Sequence, residues 1–264
     1  MKHRRDKGFT LIELLVVIAI IALLLSIVVP SLRKARAHAR KVIDHTNLRS
    51  LSMACMLYVN ENNGEFFTYG GGHLWMERVG YYVDNINEVR YCPETIARLP
   101  EAEDTANDQW GESTRPWRWP KPNDPAEPFY FGSYGLNGWL YRSVGLVVEA
   151  DQPKLYGKIA SVRNPMNTPF ILDANWVDGW PKNTNRLPAT GYRYDLGDGA
   201  GGNSTVNTMI GRYVLDRHGP ETHGVFVDGQ VKIIPHADLW TLAWHRGAEP
   251  DFSVTPPQPA PSKR

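Results

Sequence analysis

"GFTLIELLVVIAIIALLLSIVVP", Gly8 to Pro30, is an apolar run interrupted by a single acid, Glu13. The 21 residues from Phe9 to Val29 rise about 1.5 Å each as a helix and so span roughly 30 Å, the thickness of a bilayer's hydrocarbon core. A carboxylate at mid-bilayer depth costs about 2.5–3.5 kcal/mol on insertion scales. A chain needing only an anchor would carry another Leu there, so Glu13 asks for a function.

The flanks bear on topology. "MKHRRDKG" holds four Lys/Arg and one Asp, and basic flanks stay cytoplasmic, which places the bulk of the chain across the membrane. A second basic cluster, "RKARAHARK" from Arg33 to Lys41, dilutes that bias. A secretory signal peptide has a shorter apolar region, about 7–15 residues, ending at a small-x-small site. A plain signal anchor fits the length. Neither explains Glu13 or the Gly8-Phe9 pair ahead of it.

"KGFTLIELLVVIAIIALLLSIVVP", residues 7 to 30, resembles the N-terminal segment of type IV prepilins and type II secretion pseudopilins. The resemblance implies cleavage after Gly8 by a prepilin peptidase, N-methylation of Phe9, and assembly roles for Phe9, Glu13 and Pro30. It also implies a single-pass protein of the bacterial cytoplasmic membrane, held by membrane lipid, with its C-terminal domain extracytoplasmic. Its partners would be other pilin-like subunits and a secretion or pilus assembly machinery. Cleavage creates an ammonium at Phe9. In a filament, the Glu13 carboxylate of one subunit can neutralise the Phe9 amine of its neighbour, and attraction in a dry medium is strong. The acid then acts as a registry device. The bland alternative is a Glu that snorkels to the interface.

The apolar pattern continues past Pro30. Leu32, Ala35, Ala39, Val42, Ile43, Thr46, Leu51, Ala54, Cys55 and Tyr58 recur at three- and four-residue steps, with Arg and Lys between them. Pro30 is expected to kink the helix rather than end it. "NENNGE" supplies a stop, with Gly64 as a left-handed cap. The helix is thus expected from about Leu11 to about Asn60, laying the stripe of its exposed half on a sheet.

The expected fold class is α+β, pilin-like: a long N-terminal helix, half membrane-bound and half amphipathic, packed on an antiparallel β-sheet. The segments are a cleaved leader (1–8), a transmembrane helix (9–29), the exposed half of the helix (30–60), an α+β domain (61–250) and a disordered Pro-rich tail (251–264). Residues 101–128 are acidic, then Trp- and Pro-rich, and read as a surface insertion. "TPFILDANW" reads as a buried strand and "ADLWTLAWHR" as a short helix. In "GVFVDGQVKII", Asp228-Gly229 between β-branched runs marks a two-residue type I′ hairpin.

"RHGPETHGVFVDG" places His218 ten residues before Asp228, with Gly229 next. This is similar to the H-X9-DG signature of a large group of prepilin-like proteins. "NLRSLSMACMLYVNENNGEF", "YCPE", "SYGLNGWL", "TPFILDANW" and "LWTLAWHR" resemble the same group, whose role is largely unassigned. One departure is His223, where that group commonly has Asn. His218 and Asp228 admit two readings: a divalent-metal or ligand site with Asp216 or Asp173, or a structural role, His218 bonding the hairpin backbone and Asp228 serving the turn.

With 29 basic and 28 acidic residues, no bulk charge points to nucleic acid. No His/Cys pair has zinc spacing. "YDLGDGAGGN", with Asp195, Asp198 and Asn203, offers oxygen ligands for Ca²⁺, which related major pseudopilins bind in a loop, but lacks EF-hand spacing; no other cofactor is expected. Cys55 and Cys92, the only cysteines, either close one disulfide or stay as buried thiols. Trp110, Trp117, Trp119, Trp139, Trp176 and Trp180 offer a rival function, a membrane-anchored binding module stacking sugars, against the alternative that they form core. No Gly-x-Ser-x-Gly, His-Glu-x-x-His or phosphate loop occurs, so no enzyme is expected.

Overall fold

The computed structural model describes residues 11–69, 74–95, 109–120, 129–145, 147–188, 192–194 and 209–257. The chain divides into two compact units, residues 1–42 and 43–264. One helix, α1 (Leu11–Glu61), runs through both and continues across Pro30. Proline removes one backbone donor there. On either side, the Ser26 and Ser31 hydroxyls donate to Leu23 O (2.6 Å) and Val28 O (2.8 Å). The helix stops where the sequence said it should. Asn63 and Gly64 take positive φ, 55° and 76°, and Gly64 N–H reaches back to Val59 O at 2.8 Å.

From Leu11 to Val29 the apolar side chains of α1 lie open. The buried face starts only at Asp44 and continues through Asn47, Leu48, Leu51, Ser52, Ala54, Cys55 and Val59. Leu32, Val42 and Ile43, expected in the packed stripe, are exposed. The compact domain therefore takes in the last turns of α1 from Ile43 rather than beginning at residue 61.

Two short helices follow, α2 (Trp75–Val79) and α3 (Ile86–Val89). A small antiparallel hairpin joins β1 (Trp117–Pro120) to β2 (Phe129–Gly132). The main sheet has five strands: β3 (Tyr134–Asn137), β4 (Pro169–Asp173), β5 (Asp178–Gly179), β6 (Glu221–Phe226) and β7 (Val231–Pro235), in the order β5-β3-β4-β6-β7. It is antiparallel except for the two-residue β3·β5 pair, which is parallel. Every residue of the central strand β4 is buried, as expected for an apolar strand covered on both faces. The fold is α+β and pilin-like: a long helix whose C-terminal part is fixed to β3 and β6 through Asp44.

Four expectations change. Residues 101–128 are not simply a surface insertion: Trp117 and Arg118 of β1 are buried. "ADLWTLAWHR" forms a 3₁₀ helix over His236–Thr241, not an α-helix. The tail is ordered up to residue 257: Asp251 pairs with Arg186 at 2.6 Å, and Tyr194 OH donates to Pro257 O. The β6–β7 turn is not type I′. Only Gly229 has positive φ, 84°. Phe226 N–H donates to Gln230 O (2.9 Å) and Gly229 N–H to Phe226 O (2.9 Å), so the loop has three residues and ends on a left-handed glycine, the G1-bulge hairpin.

That geometry sets a prediction. A Cβ on Gly229 would meet nothing within 4 Å, so the cost of Gly229→Val is purely that of a β-branched residue at positive φ. We expect a loss of more than ~1 kcal/mol. Asp228 Oδ1 accepts from Gln230 N–H at 3.0 Å, a bond an Asn carbonyl repeats, so Asp228→Asn should be nearly neutral. Thermal melts of the two variants decide it; equal destabilisation would contradict the turn assignment.

Candidate functional site

Two features stand apart from ordinary core. The first is the open apolar surface of α1. This is the one helix among the described residues long and apolar enough to cross a membrane, and none of its apolar window is buried. Glu13 lies in its first turn. Gly8 and Phe9 fall outside the described residues.

The second is a buried polar cluster beneath the C-terminal part of α1. Asp44 projects from α1, Asp173 ends β4, His223 sits in β6, Cys92 follows α3, and Arg217 and His218 lie in the 3₁₀ turn Asp216–His218. Asp44, Asp173, Cys92 and His223 are essentially without solvent exposure. Asp44 Oδ1 accepts from Tyr134 OH at 2.6 Å, and its Oδ2 lies 2.6 Å from His223 Nδ1. His218 Nε2 faces Asp173 Oδ2 at 3.0 Å, Cys92 Sγ at 3.3 Å and Asp44 Oδ2 at 3.7 Å. The His218 and His223 rings stack at 3.8 Å, 12° apart.

Arg217 holds this arrangement. Its guanidinium donates to Asp173 Oδ1 (2.8 Å) and to the carbonyls of Ser133 (2.7 Å), Ser113 (3.0 Å) and Glu112 (3.0 Å). Five N–H donors in a planar fork suit such a hub. Burial alone would lift the Asp173 carboxyl, but His218 and Arg217 outweigh it and hold the group below its ordinary range. Burial likewise works against a charged His218, and the Asp173 carboxylate outweighs it, pushing His218 up. Burial pushes the Cys92 thiol up, and Asp173 and Asp44 add to that.

The sequence-derived candidates separate in space. His218 joins Asp173, one of the two further acids the ligand reading offered, and bonds this carboxylate rather than the hairpin backbone. Asp216 turns away and accepts from Ser113. Asp228 and Gly229 belong to the turn and take no part in the cluster. Cys55 and Cys92 are free, buried thiols and form no disulfide. The Cys92 sulfur is directed at His218, while Cys55 lies in the apolar face of α1. Asp195, Asp198 and Asn203 fall outside the described residues. Trp117 and Trp139 are fully buried, their indole N–H groups donating to Tyr134 O (3.1 Å) and Pro181 O (2.6 Å). Trp110 stacks on Trp176 at 4.2 Å. Trp117 and Trp139 build core and present no face to a sugar.

Sequence reasoning missed Asp44, Arg217 and the part played by His223. Asp44 left a signal, since it is in phase with Leu48, Leu51, Cys55 and Val59 along the buried face.

An exposed apolar helix with an acid in its first turn, leading into an α+β domain, defines a pilin-like subunit. Residues 3–29 match the model of the prokaryotic N-terminal methylation motif. The chain is 32% identical over 115 residues to type II secretion system core protein G of Klebsiella michiganensis, covering 42% of this chain and 72% of that protein. It is 32% identical over 90 residues to the type IV major pilin protein PilA of Myxococcus xanthus, covering 34% of this chain and 33% of that one. It is 43% identical over 60 residues to the type IV wide pilus major component PilA4 of Thermus thermophilus, covering 23% of this chain and 46% of that one. The chain thus spans a third to under half of the length of these two pilins. No solved structure matches it. The chain belongs to the family of type IV pilins and type II secretion pseudopilins. The apolar N-terminal helix and these relatives fit a single-pass, membrane-anchored protein.

Proposed function

We propose that this protein is a filament subunit of a type II secretion or type IV pilus-like system. A prepilin peptidase cuts it after Gly8, and Phe9 is methylated. Phe9–Val29 holds it in the bacterial cytoplasmic membrane, with the domain on the extracytoplasmic side. It then joins other pilin-like subunits through the assembly machinery, and its work is assembly rather than catalysis. The observation that carries this reading is the apolar surface of α1 from Leu11 to Val29, open along its whole length with Glu13 inside it. Such a surface suits lipid before assembly and neighbouring helices after it.

Intact-mass measurement of the protein purified from membranes tests it. The expected mass lacks residues 1–8 and carries one extra methyl group. A mass that retains Met1–Gly8 in cells possessing the peptidase would overturn the proposal.

A further inference from the structure

We infer that Asp44, Cys92, Asp173 and His218 form a zinc site that ties α1 to the sheet. Their ligand atoms all lie within 4.8 Å of one another, and all four side chains are buried or nearly so. One ring nitrogen, His218 Nε2, faces two carboxylate oxygens and a sulfur at 3.0, 3.7 and 3.3 Å. Asp173 Oδ2 and Cys92 Sγ both lie within hydrogen-bond reach of that nitrogen, and a single N–H is directed well at only one of them, with the Asp44 carboxylate just beyond. Around a tetrahedral Zn²⁺, with Zn–N and Zn–O near 2.0 Å and Zn–S near 2.3 Å, ligand-to-ligand edges are about 3.3–3.5 Å. The three distances bracket that value.

The donor set of one imidazole, one thiolate and two carboxylates is of the kind zinc accepts, while the hard ions Ca²⁺ and Mg²⁺ do not select sulfur. Charge also fits. Cys92 as thiolate, Asp44 and Asp173 carry three negative charges, Arg217 offsets one, and a divalent ion cancels the remaining two. The outer contacts resemble those that orient metal ligands. Arg217 holds Asp173 by Oδ1, Tyr134 holds Asp44 by Oδ1, and the inward Oδ2 of Asp44 is also met by His223 Nδ1 at 2.6 Å, as its second lone pair allows. The four ligands come from α1, the segment after α3, the end of β4 and the 3₁₀ turn before β6. An ion there would staple the helix to the sheet.

Co²⁺ titration tests this with the full-length chain in detergent, after removal of bound metal by chelator. One equivalent should produce the visible absorption of four-coordinate Co²⁺ and a near-ultraviolet thiolate-to-metal charge-transfer band. Zn²⁺ should bleach both. Cys55→Ser should keep the charge-transfer band and Cys92→Ser should lose it. Tyr134→Phe should weaken Co²⁺ binding by about 10- to 100-fold. If Cys92→Ser does not fold, retention of the band in Cys55→Ser still assigns the thiolate, since the chain has no third cysteine. Folded wild-type protein that takes up no Co²⁺, binds it without a charge-transfer band, or loses the band in Cys55→Ser would overturn the site.

Discussion

Arg217→Ala is expected to destabilise the domain by about 3–5 kcal/mol, the range for removing one partner of a buried ion pair. The side chain is buried against Asp173, itself buried. Its loss leaves that carboxylate beside Asp44 with one cation fewer, in a region where both acids are shut off from water. It also strips a donor from each of the carbonyls of Glu112, Ser113 and Ser133; Ser133 O keeps the Ala174 N–H at 2.9 Å, and a buried acceptor left with no donor costs about 1–3 kcal/mol. Two of those carbonyls lie in the segment before β1, so the damage spreads to the β1–β2 hairpin. All nine tryptophans fall between Trp75 and Trp244, so their fluorescence reads this domain without interference from the apolar helix. With chelator present, to keep any bound ion out of the comparison, the melting midpoint should drop by on the order of 10 °C. Arg217→Lys should recover only part of this, because an ammonium keeps the charge but cannot span the same fork of acceptors. A drop of only a degree or two in Arg217→Ala would mean that the guanidinium is a passenger.

Some of this architecture was readable from residue order, and the reason is local physics. The helix Leu11–Glu61 announced itself by an apolar run, a three-to-four stripe and the Asn-Asn-Gly stop, and its end fell within one residue of the expected one. Strand β4 and the β6–β7 hairpin were visible because short β-branched runs bounded by Asp, Gly and Pro have few other uses. The turn type was not, because Asp-Gly serves both a two-residue I′ loop and a three-residue loop whose last residue is the glycine. The 3₁₀ segments and the two-residue β5 follow no period long enough to detect. The cluster was hardest. His223 lies 179 residues from Asp44 and His218 lies 126 from Cys92, so no spacing rule applies. What the order of residues did contain was an acid, Asp44, in phase with the apolar stripe of its helix. This is the same anomaly that made Glu13 conspicuous, displaced by scattered polar neighbours that hid it.

Glu13→Leu should insert into the membrane at least as well as the natural chain, because it makes the spanning helix more apolar, yet it should fail to assemble normally. The proposed pairing sets the Glu13 carboxylate of one subunit against the Phe9 ammonium of the next, inside a medium where Coulomb attraction is weakly screened. Deleting the acid removes that attraction and leaves the neighbour's amine in the same apolar surroundings. Breaking a buried pair from one side costs about 3–5 kcal/mol, which corresponds to a loss of roughly 100-fold or more in subunit association. Glu13→Gln separates charge from shape: it keeps the side chain's size and its capacity to accept a hydrogen bond, and should still assemble poorly. Cysteine crosslinking between subunits in membranes, with insertion verified by protease protection of the domain, reads the two steps separately. Glu13→Leu that inserts and crosslinks at the natural rate would refute the registry role and leave Glu13 as an acid that reaches for the membrane surface. Poor crosslinking with full insertion would show that this carboxylate is tolerated in the apolar run because a second subunit answers it.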